Sequence, residues 1–450
     1  MARLLGRDGF GIFTFGLAYA TIVTVLAGFG QDVVLTRVVA RDRSRVDDYF
    51  ANTIALKLVV AIPVLAFATA AEWLLGMDAT TVGASALISL AVLAELLTAT
   101  CFGVFQGYER LEFMPIVIVA QRVVTTAAGV IAMAAAGAGV VAVSAIYLVG
   151  ASAGFFLAFV LLARYVVRPA VDVTPRRWVE LMRVAVPVGV ALVLQVVLFR
   201  VDAAILKVLE PIRVVGEYGA AYRVFESFLF LGWAVGAAVY PVLSRIVDDA
   251  ATTRLVYERG LKLVLALTVP AAVAAAVLAR PVIDLLYGTG YADAARPLRI
   301  LAPTIVLASV NHVTGVLLLA QNRQRYIAIV YGILGIENVV ANFALIPWLS
   351  LDGAAVNTTL TEVLLVTALG AYSLRLTGRP EWRRLLAGPL VAGATAALAM
   401  AALRTDLPVA LVAGALVYAA VLAAIEYRLY PDDARLVWRY IRRSPGAVAA

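Results

Sequence analysis

Four cations stand inside otherwise apolar stretches of this 450-residue chain: Lys57, Arg122, Arg200 and Arg223. Placing a lysine or arginine at the centre of such a stretch costs at least roughly 2.5–3.5 kcal/mol in hydrocarbon. Each therefore needs an anionic partner, water, or a route to the membrane surface. Arginine offers a planar fork of donors that matches phosphate oxygens, so Arg122 is the first candidate for a phosphate-bearing ligand. Its alternatives are a pair with Glu95 and reach to the surface. Lys57 has a stem long enough to put its ammonium among head groups. Arg200 and Asp202 are two residues apart and point about 200° away from one another on a helix. They serve different faces, so one can look into a cavity while the other packs between helices. Arg223 and Glu226, three apart, share a face and can pair with each other.

Acids at similar depth raise a second possibility. Glu95, Glu226, Glu337 and Glu362 fall near the middle of apolar stretches, where an ionised carboxylate is costly without a partner. Together with Asp202 they are candidate proton or sodium positions, weighed against paired or neutral acids between helices. Asn338 and Asn342 place further oxygen ligands near Glu337. His312, the sole histidine, cannot build a metal site and is expected to hydrogen-bond between helices. Cys101, the sole cysteine, excludes intrachain disulfides and thiolate metal clusters. Gly288-Thr289-Gly290 lacks the third glycine and the strand context of a dinucleotide loop and reads as a turn. No ATP-binding loop is present, and the pairs Asp47-Asp48, Asp248-Asp249 and Asp432-Asp433 read as solvated charge. Neither a cofactor nor a metal is expected.

The elements that must position these residues follow from composition. Apolar residues make up 63% of the chain, 15% are charged and mean hydropathy is +0.95, outside the soluble range of about half apolar and a quarter charged. The chain is all-α, a polytopic transmembrane bundle. Runs long enough to span a bilayer lie near 10–28, 51–75, 82–105, 115–136, 140–162, 184–206, 217–240, 261–278, 300–320, 326–348, 354–374, 385–402 and 409–425, about 13 in all. Alternate loops, beginning with 29–50 and ending with 426–450, hold about two thirds of the 37 basic residues. Positive loops stay cytoplasmic, which puts the N-terminus outside and the C-terminus inside. The net charge of +8 is spread over those loops, so it reports topology and some attraction to anionic membrane lipid rather than nucleic acid. The longer connections 163–183 and 241–262 are expected to form short amphipathic helices.

The first half of the chain reappears in the second. Gly9-Phe10-Gly11 and Leu35-Thr36-Arg37-Val38-Val39 stand 208 residues ahead of Glu217-Tyr218-Gly219 and Leu243-Ser244-Arg245-Ile246-Val247. A weaker alignment sets Gln106, Arg110 and Arg122 against Gln321, Arg325 and Glu337. Two related lobes of six helices are expected, with the N-terminal one over 1–165 and the C-terminal one over 166–380. Two further helices and a cytoplasmic tail occupy 381–450. Only five spans precede the second lobe, so the N-terminal lobe is expected to lack its first helix, of which Met1 to Gly6 resembles the outer end. Such repeats usually belong to transporters.

Specific blocks then carry a family resemblance. They are Leu5-Gly6-Arg7-Asp8-Gly9-Phe10-Gly11-Ile12-Phe13 with Gly30 and Arg37 to Arg41; Arg200-Val201-Asp202 with Val215 to Tyr222; Tyr287-Gly288 to Ala294 with Leu298 to Pro303; and Glu337-Asn338 to Asn342 with Ile346-Pro347 and Gly353-Ala354-Ala355. Together they resemble the lipid-linked oligosaccharide (O-antigen) flippases, the polysaccharide-transport branch of the multidrug/oligosaccharidyl-lipid/polysaccharide (MOP) exporter superfamily. The resemblance implies fourteen helices, two six-helix lobes and two extra. It also implies flipping of a polyprenyl-pyrophosphate-linked oligosaccharide to the outer leaflet of the cytoplasmic membrane by alternating access, with no enzymatic step. Arg122, Arg200, Lys57 and Arg223 are then the candidate head-group cations, and Asp202, Glu337, Asn338, Glu95 and Glu226 the candidate ion-coupling groups. A lipid-linked oligosaccharide, H+ or Na+, and a glycan polymerase or glycosyltransferases are the expected partners. The competing readings are an ion-coupled drug or metabolite antiporter of the same superfamily, a membrane enzyme, and a non-transporting component of polysaccharide assembly.

Overall fold

The computed structural model describes residues 2–170, 172–247 and 249–429. These are helical, with no strand among them. The chain opens with α1 (Ala2–Gly28), α2 (Gln31–Arg41), α3 (Val46–Leu74), α4 (Ala79–Gly107), α5 (Phe113–Ala136) and α6 (Val140–Tyr165). It continues with α7 (Pro175–Leu209), α8 (Ile212–Glu226), α9 (Leu229–Arg245), α10 (Ala250–Val277) and α11 (Ala279–Tyr287). After these come α12 (Ala295–Ala320), α13 (Gln324–Leu349), α14 (Leu351–Thr377), α15 (Trp382–Ala402) and α16 (Leu407–Leu429).

Twelve stretches are long and apolar enough to cross a bilayer, α8 and α9 together forming one of them, Ile212–Arg245. The bent helix α7 supplies a thirteenth, its halves Pro175–Val190 and Leu192–Leu209 meeting at 44°. Every span expected from hydropathy has its helix. Pro187 lies within α7, about one turn before this bend.

Two expectations about the connections are corrected. The stretch 29–50 is not merely a loop, since it holds α2. The connections 163–183 and 241–262 do not form separate amphipathic helices. Their charged residues instead prolong spanning helices, because Pro175 starts α7 at its first turn, where proline's fixed φ suits a helix. Likewise Asp249 caps α10 by accepting the Ala251 and Thr252 amides, each at 3.1 Å. Asp248 and Asp432-Asp433 lie outside the described residues. The Gly137 turn joins α5 to α6, closed by Gly137 at φ 59°.

The described residues gather into two compact units, Met1–Gly219 with Tyr331–Ala354, and Ala220–Val330 with Ala355–Ala450. In the first, α4 runs along α6 and α1, while α2, α3 and α7 pack around this trio. Ala84, Ile88 and Ala91 of α4 meet Phe13 and Ala20 of α1 and Tyr147 and Ala151 of α6. In the second, α12 packs on α10 and α9, and the pair α15–α16 packs on α10. Leu243, Tyr257, Val264 and Leu317 form one core cluster there, and Val269, Ala392, Ala396 and Tyr418 another. Large apolar side chains such as Ile62, Phe67, Phe156, Ile336 and Leu398 are exposed, as suits a surface solvated by hydrocarbon. In that solvent helices associate by close packing and polar contacts rather than by expelling water.

A close backbone-to-backbone approach joins the openings of the two sequence repeats. Gly11 of α1 lies against α8 so tightly that a Cβ there would stand 2.1 Å from the Ile212 carbonyl oxygen. A Cβ on Gly216 would stand 2.3 Å from that of Arg7. Only glycine lets the two backbones approach this far. Further on, α1 and α2 meet at an elbow where Phe29 and Gly30 both have positive φ, 33° and 76°.

Candidate functional site

Arg122 projects from α5, ~14 Å along the helix from Phe113 by helical rise. Its side chain is 61% exposed. The guanidinium lies 3.5 Å from Glu95 of α4, at the long end for an ion pair. Glu95 meanwhile accepts a 2.8 Å hydrogen bond from Gln121, and the Tyr147 phenol of α6 lies beside both charges. Arg122 thus combines an exposed side chain with Glu95 and Tyr147 as its neighbours. At this depth a bare guanidinium needs water or an anion, since lipid chains provide neither.

Lys57 is the opposite case. It is fully enclosed, and its ammonium donates to Asp32 Oδ1 at 2.6 Å, to Thr100 Oγ1 at 2.8 Å and to the Leu96 carbonyl at 3.0 Å. All three of its protons are used within the protein. Asp32 sits in the first turn of α2, just past the elbow, so the pair joins α2 to α3, with α4 supplying the remaining acceptors. Asp32 was not recognisable from sequence, because it falls in a stretch that reads as a charged loop. The pattern Gly30-Gln31-Asp32 is a faint signal of a helix start with an acid in its first turn.

Arg200 is half-buried and Asp202 buried on α7. Asp202 accepts from the Ala203 amide at 2.8 Å and from the Tyr218 hydroxyl. On α13, Glu337 is half-buried beside the buried Asn338, whose Oδ1 accepts from Asn342 at 3.0 Å. Sequence reasoning also passed over a pair at the repeat openings, where Arg7 Nη1 lies 2.9 Å from Glu217 Oε1. Both residues fall in the family-like blocks, which was the available signal.

In the second unit Arg223 and Glu226 are half-buried on α8. Burial pushes the Tyr287 phenol up from its usual range, and the nearby Arg223 charge partly offsets this. Glu362 is enclosed, with Oε2 accepting from Asn311 Nδ2 at 2.5 Å. His312 does not make the expected helix-to-helix hydrogen bond among the described residues. Its ring stacks on Trp233 at 5.0 Å and 15° and crowds Gly236, so packing fixes it. The described residues contain no cluster of three His, Cys, Asp or Glu side chains able to hold a metal.

Arg122 and Glu95 come together, and so do Glu337 and Asn338. Lys57 is withdrawn from solvent, and Arg223 stands near a phenol.

A family model described as polysaccharide biosynthesis protein matches residues 1–247, and a second, MatE, matches residues 187–344. No curated protein matches the chain. Solved structures do. Lipid II flippase MurJ in an inward closed conformation superposes with a TM-score of 0.72 at 12% identity, over 94% of this chain and 97% of that one. An inward-facing multidrug resistance MATE family transporter of the MOP superfamily gives 0.68 at 16% identity, over 84% and 95%. A MOP superfamily transporter from Pyrococcus furiosus, whose binding pocket of reverse polarity is said to suggest a different function, gives 0.55 at 16%, over 83% and 89%. At these identities the likeness is one of fold, and the fold is that of transporters.

Proposed function

The chain belongs to the polysaccharide biosynthesis protein family of the MOP superfamily, and from that premise we propose that it flips a polyprenyl-pyrophosphate-linked oligosaccharide from the cytoplasmic to the outer leaflet of the cell membrane by alternating access. The physical task is to carry sugar hydroxyls past hydrocarbon, where each unpaired one costs on the order of 4–8 kcal/mol. A hydrated passage removes most of that cost, and the pyrophosphate needs a cation on the way. The observation that carries the reading is Arg122, an exposed guanidinium whose ion pair with Glu95 is 3.5 Å long, inside a span where its exposed donors need water or an anion.

In this reading Arg122 binds head-group phosphate, and Glu95 holds the fork in place until phosphate displaces it. Arg200 and Arg223 are the further cations of the route. Lys57 stays with Asp32. Asp202, Glu337 with Asn338, Glu95 and Glu226 are the groups available for coupling to H+ or Na+. The lobes run over 1–165 and 166–380, with 381–450 appended, the N-terminus outside and the C-terminus in the cytoplasm. A glycosyltransferase supplies the substrate and a glycan polymerase consumes it.

The MatE match over residues 187–344 favours drug or metabolite antiport as the second reading. Deleting the gene and extracting lipid-linked sugars separates the two. Flipping predicts complete repeat units retained on the cytoplasmic leaflet. An unchanged lipid-linked pool, or units accumulating outside, would overturn it.

A further inference from the structure

One buried acid has no part in the reading above. Glu72 lies in the last turn of α3 and is 1% exposed. Its Oε2 is 2.5 Å from Ser85 Oγ of α4, whereas its Oε1 is buried with no hydrogen-bond partner. Ser85 Oγ also lies 3.1 Å from the Val82 carbonyl oxygen, so its single hydroxyl proton has two acceptors within reach. From α1, Tyr19 is near enough to feel the carboxyl's charge, but its hydroxyl donates to the Ala68 carbonyl at 2.8 Å. Gly16 of the same helix lies on Ser85, where a Cβ would come 3.3 Å from its Cα.

The other acids set against partners in this unit show what is missing. Asp32 faces Lys57, Glu95 faces Arg122 and Glu217 faces Arg7. Glu72 has no lysine or arginine within ion-pair distance among the described residues. An enclosed carboxylate with one hydroxyl donor and no cation is far costlier than a neutral acid with one unpaired oxygen. The site is built for a carboxyl that carries its own positive charge, namely a proton.

We propose that Glu72 is a proton-binding site at the seam of α1, α3 and α4, occupied in this conformation and exchanging with the aqueous side through the turn at Leu75–Asp78. That turn begins three residues past Glu72 and contains Gly76 at φ 73°, so the path is about one helical turn long. The titratable group facing the site from a neighbouring element is Tyr19 of α1; Asp78, which caps α4, stands at the far end of the turn, where Lys207 bears on it. Loss of the proton puts a charge beneath Gly16 and Tyr19. Those residues belong to the helix whose opening turns hold Arg7 and Gly11 against Ile212 and Glu217. The proton therefore bears on the packing of α1, which is how it would enter a transport cycle. That last link rests on the transporter reading, whereas occupancy of Glu72 does not.

The test is infrared difference spectroscopy of the full chain in lipid nanodiscs at neutral pH, in H2O and D2O, for wild type, Glu72→Gln and Ser85→Ala. The expected result is a protonated-carboxyl band in wild type that shifts in D2O, is lost in Glu72→Gln, and moves to a new position in Ser85→Ala, where the acid has lost its hydroxyl partner. Identical carboxyl regions in wild type and Glu72→Gln would overturn the proposal, and so would a band that D2O leaves unmoved. If Glu72→Gln does not fold, the Ser85→Ala shift decides alone. The readout is the carboxyl itself, so a deletion strain without retained lipid-linked sugar would refute flipping and leave this result standing.

Discussion

Replacing Arg122 with alanine tests the proposed function most directly. The side chain is 61% exposed and its contact with Glu95 is 3.5 Å long, so its removal takes away little packing and a weak, partly screened ion pair. Glu95 keeps its 2.8 Å hydrogen bond from Gln121. Insertion should become easier, because roughly 2.5–3.5 kcal/mol of cost for an arginine in the span disappears. Folding and membrane level are therefore expected to hold. What is lost is the charged donor to phosphate, and a hydrogen bond to a charged group is worth about 1.5–3 kcal/mol. At 1.4 kcal/mol per factor of ten, export should fall by roughly 10- to 150-fold. Arg122→Lys keeps the charge but not the fork, and should lie in between. The assay is surface glycan in a deletion strain carrying each variant, normalised to membrane-inserted protein. Export at the wild-type level in Arg122→Ala, with protein level unchanged, would refute the assigned role.

The Lys57 site makes a different demand. Lys57→Met leaves Asp32 without its cation and should destabilise the solubilised protein by about 3–5 kcal/mol, as when one partner of a buried pair is removed; adding Asp32→Asn should restore most of the loss in thermal melts. Gly11→Ala forces a Cβ against the Ile212 carbonyl, and the overpacking should cost about 1–3 kcal/mol in the same melts, whereas alanine at Gly83, which has open space, should cost less. Asp78 caps α4 through the Thr81 amide at 3.0 Å, so Asp78→Ala should cost about 1 kcal/mol at neutral pH. Hydrogen bonds from Thr81 hold the Asp78 carboxyl below its usual range. Its contribution is thus complete above about pH 4, the unfolded value, and lost as pH falls through the lower folded value. The difference between wild type and Asp78→Ala should close only in acid; a gap that closes nearer neutrality would show that the cap is not what Asp78 provides.

Hydropathy located the spans because hydrocarbon leaves a chain few choices. Backbone polar groups must bond internally, and the thickness of the bilayer sets how long each helix runs. Where charge interrupts that pattern the reading weakened. α2 contains Asp32, Arg37 and Arg41 and looked like a loop, although tertiary contacts make it a helix. Lys57 looked like a residue reaching for head groups, because its three acceptors come from residues 25, 39 and 43 positions away and no local pattern announces them. The contact of Arg122 with Glu95 was one of the alternatives weighed for Arg122, since the two opposite charges stood deep in neighbouring spans. Glu72 lies so near the end of α3 that hydropathy treats it as a boundary residue. Only the packing of Gly16 and Ser85 over it shows that it is enclosed.

The lysine at the meeting of α2, α3 and α4 sets a limit on how this stretch of chain can change. One residue inserted into α3 between Val46 and Leu56 would turn Lys57 by about 100° relative to the start of the helix. Either the ammonium would lose its acceptors or the start of α3 would swing away from its neighbours. Related chains should therefore vary in length at turns such as Gly137–Gly139 and keep a constant residue count through the first turns of α3. That spacing would be preserved as a matter of electrostatics, whatever cargo each chain carries.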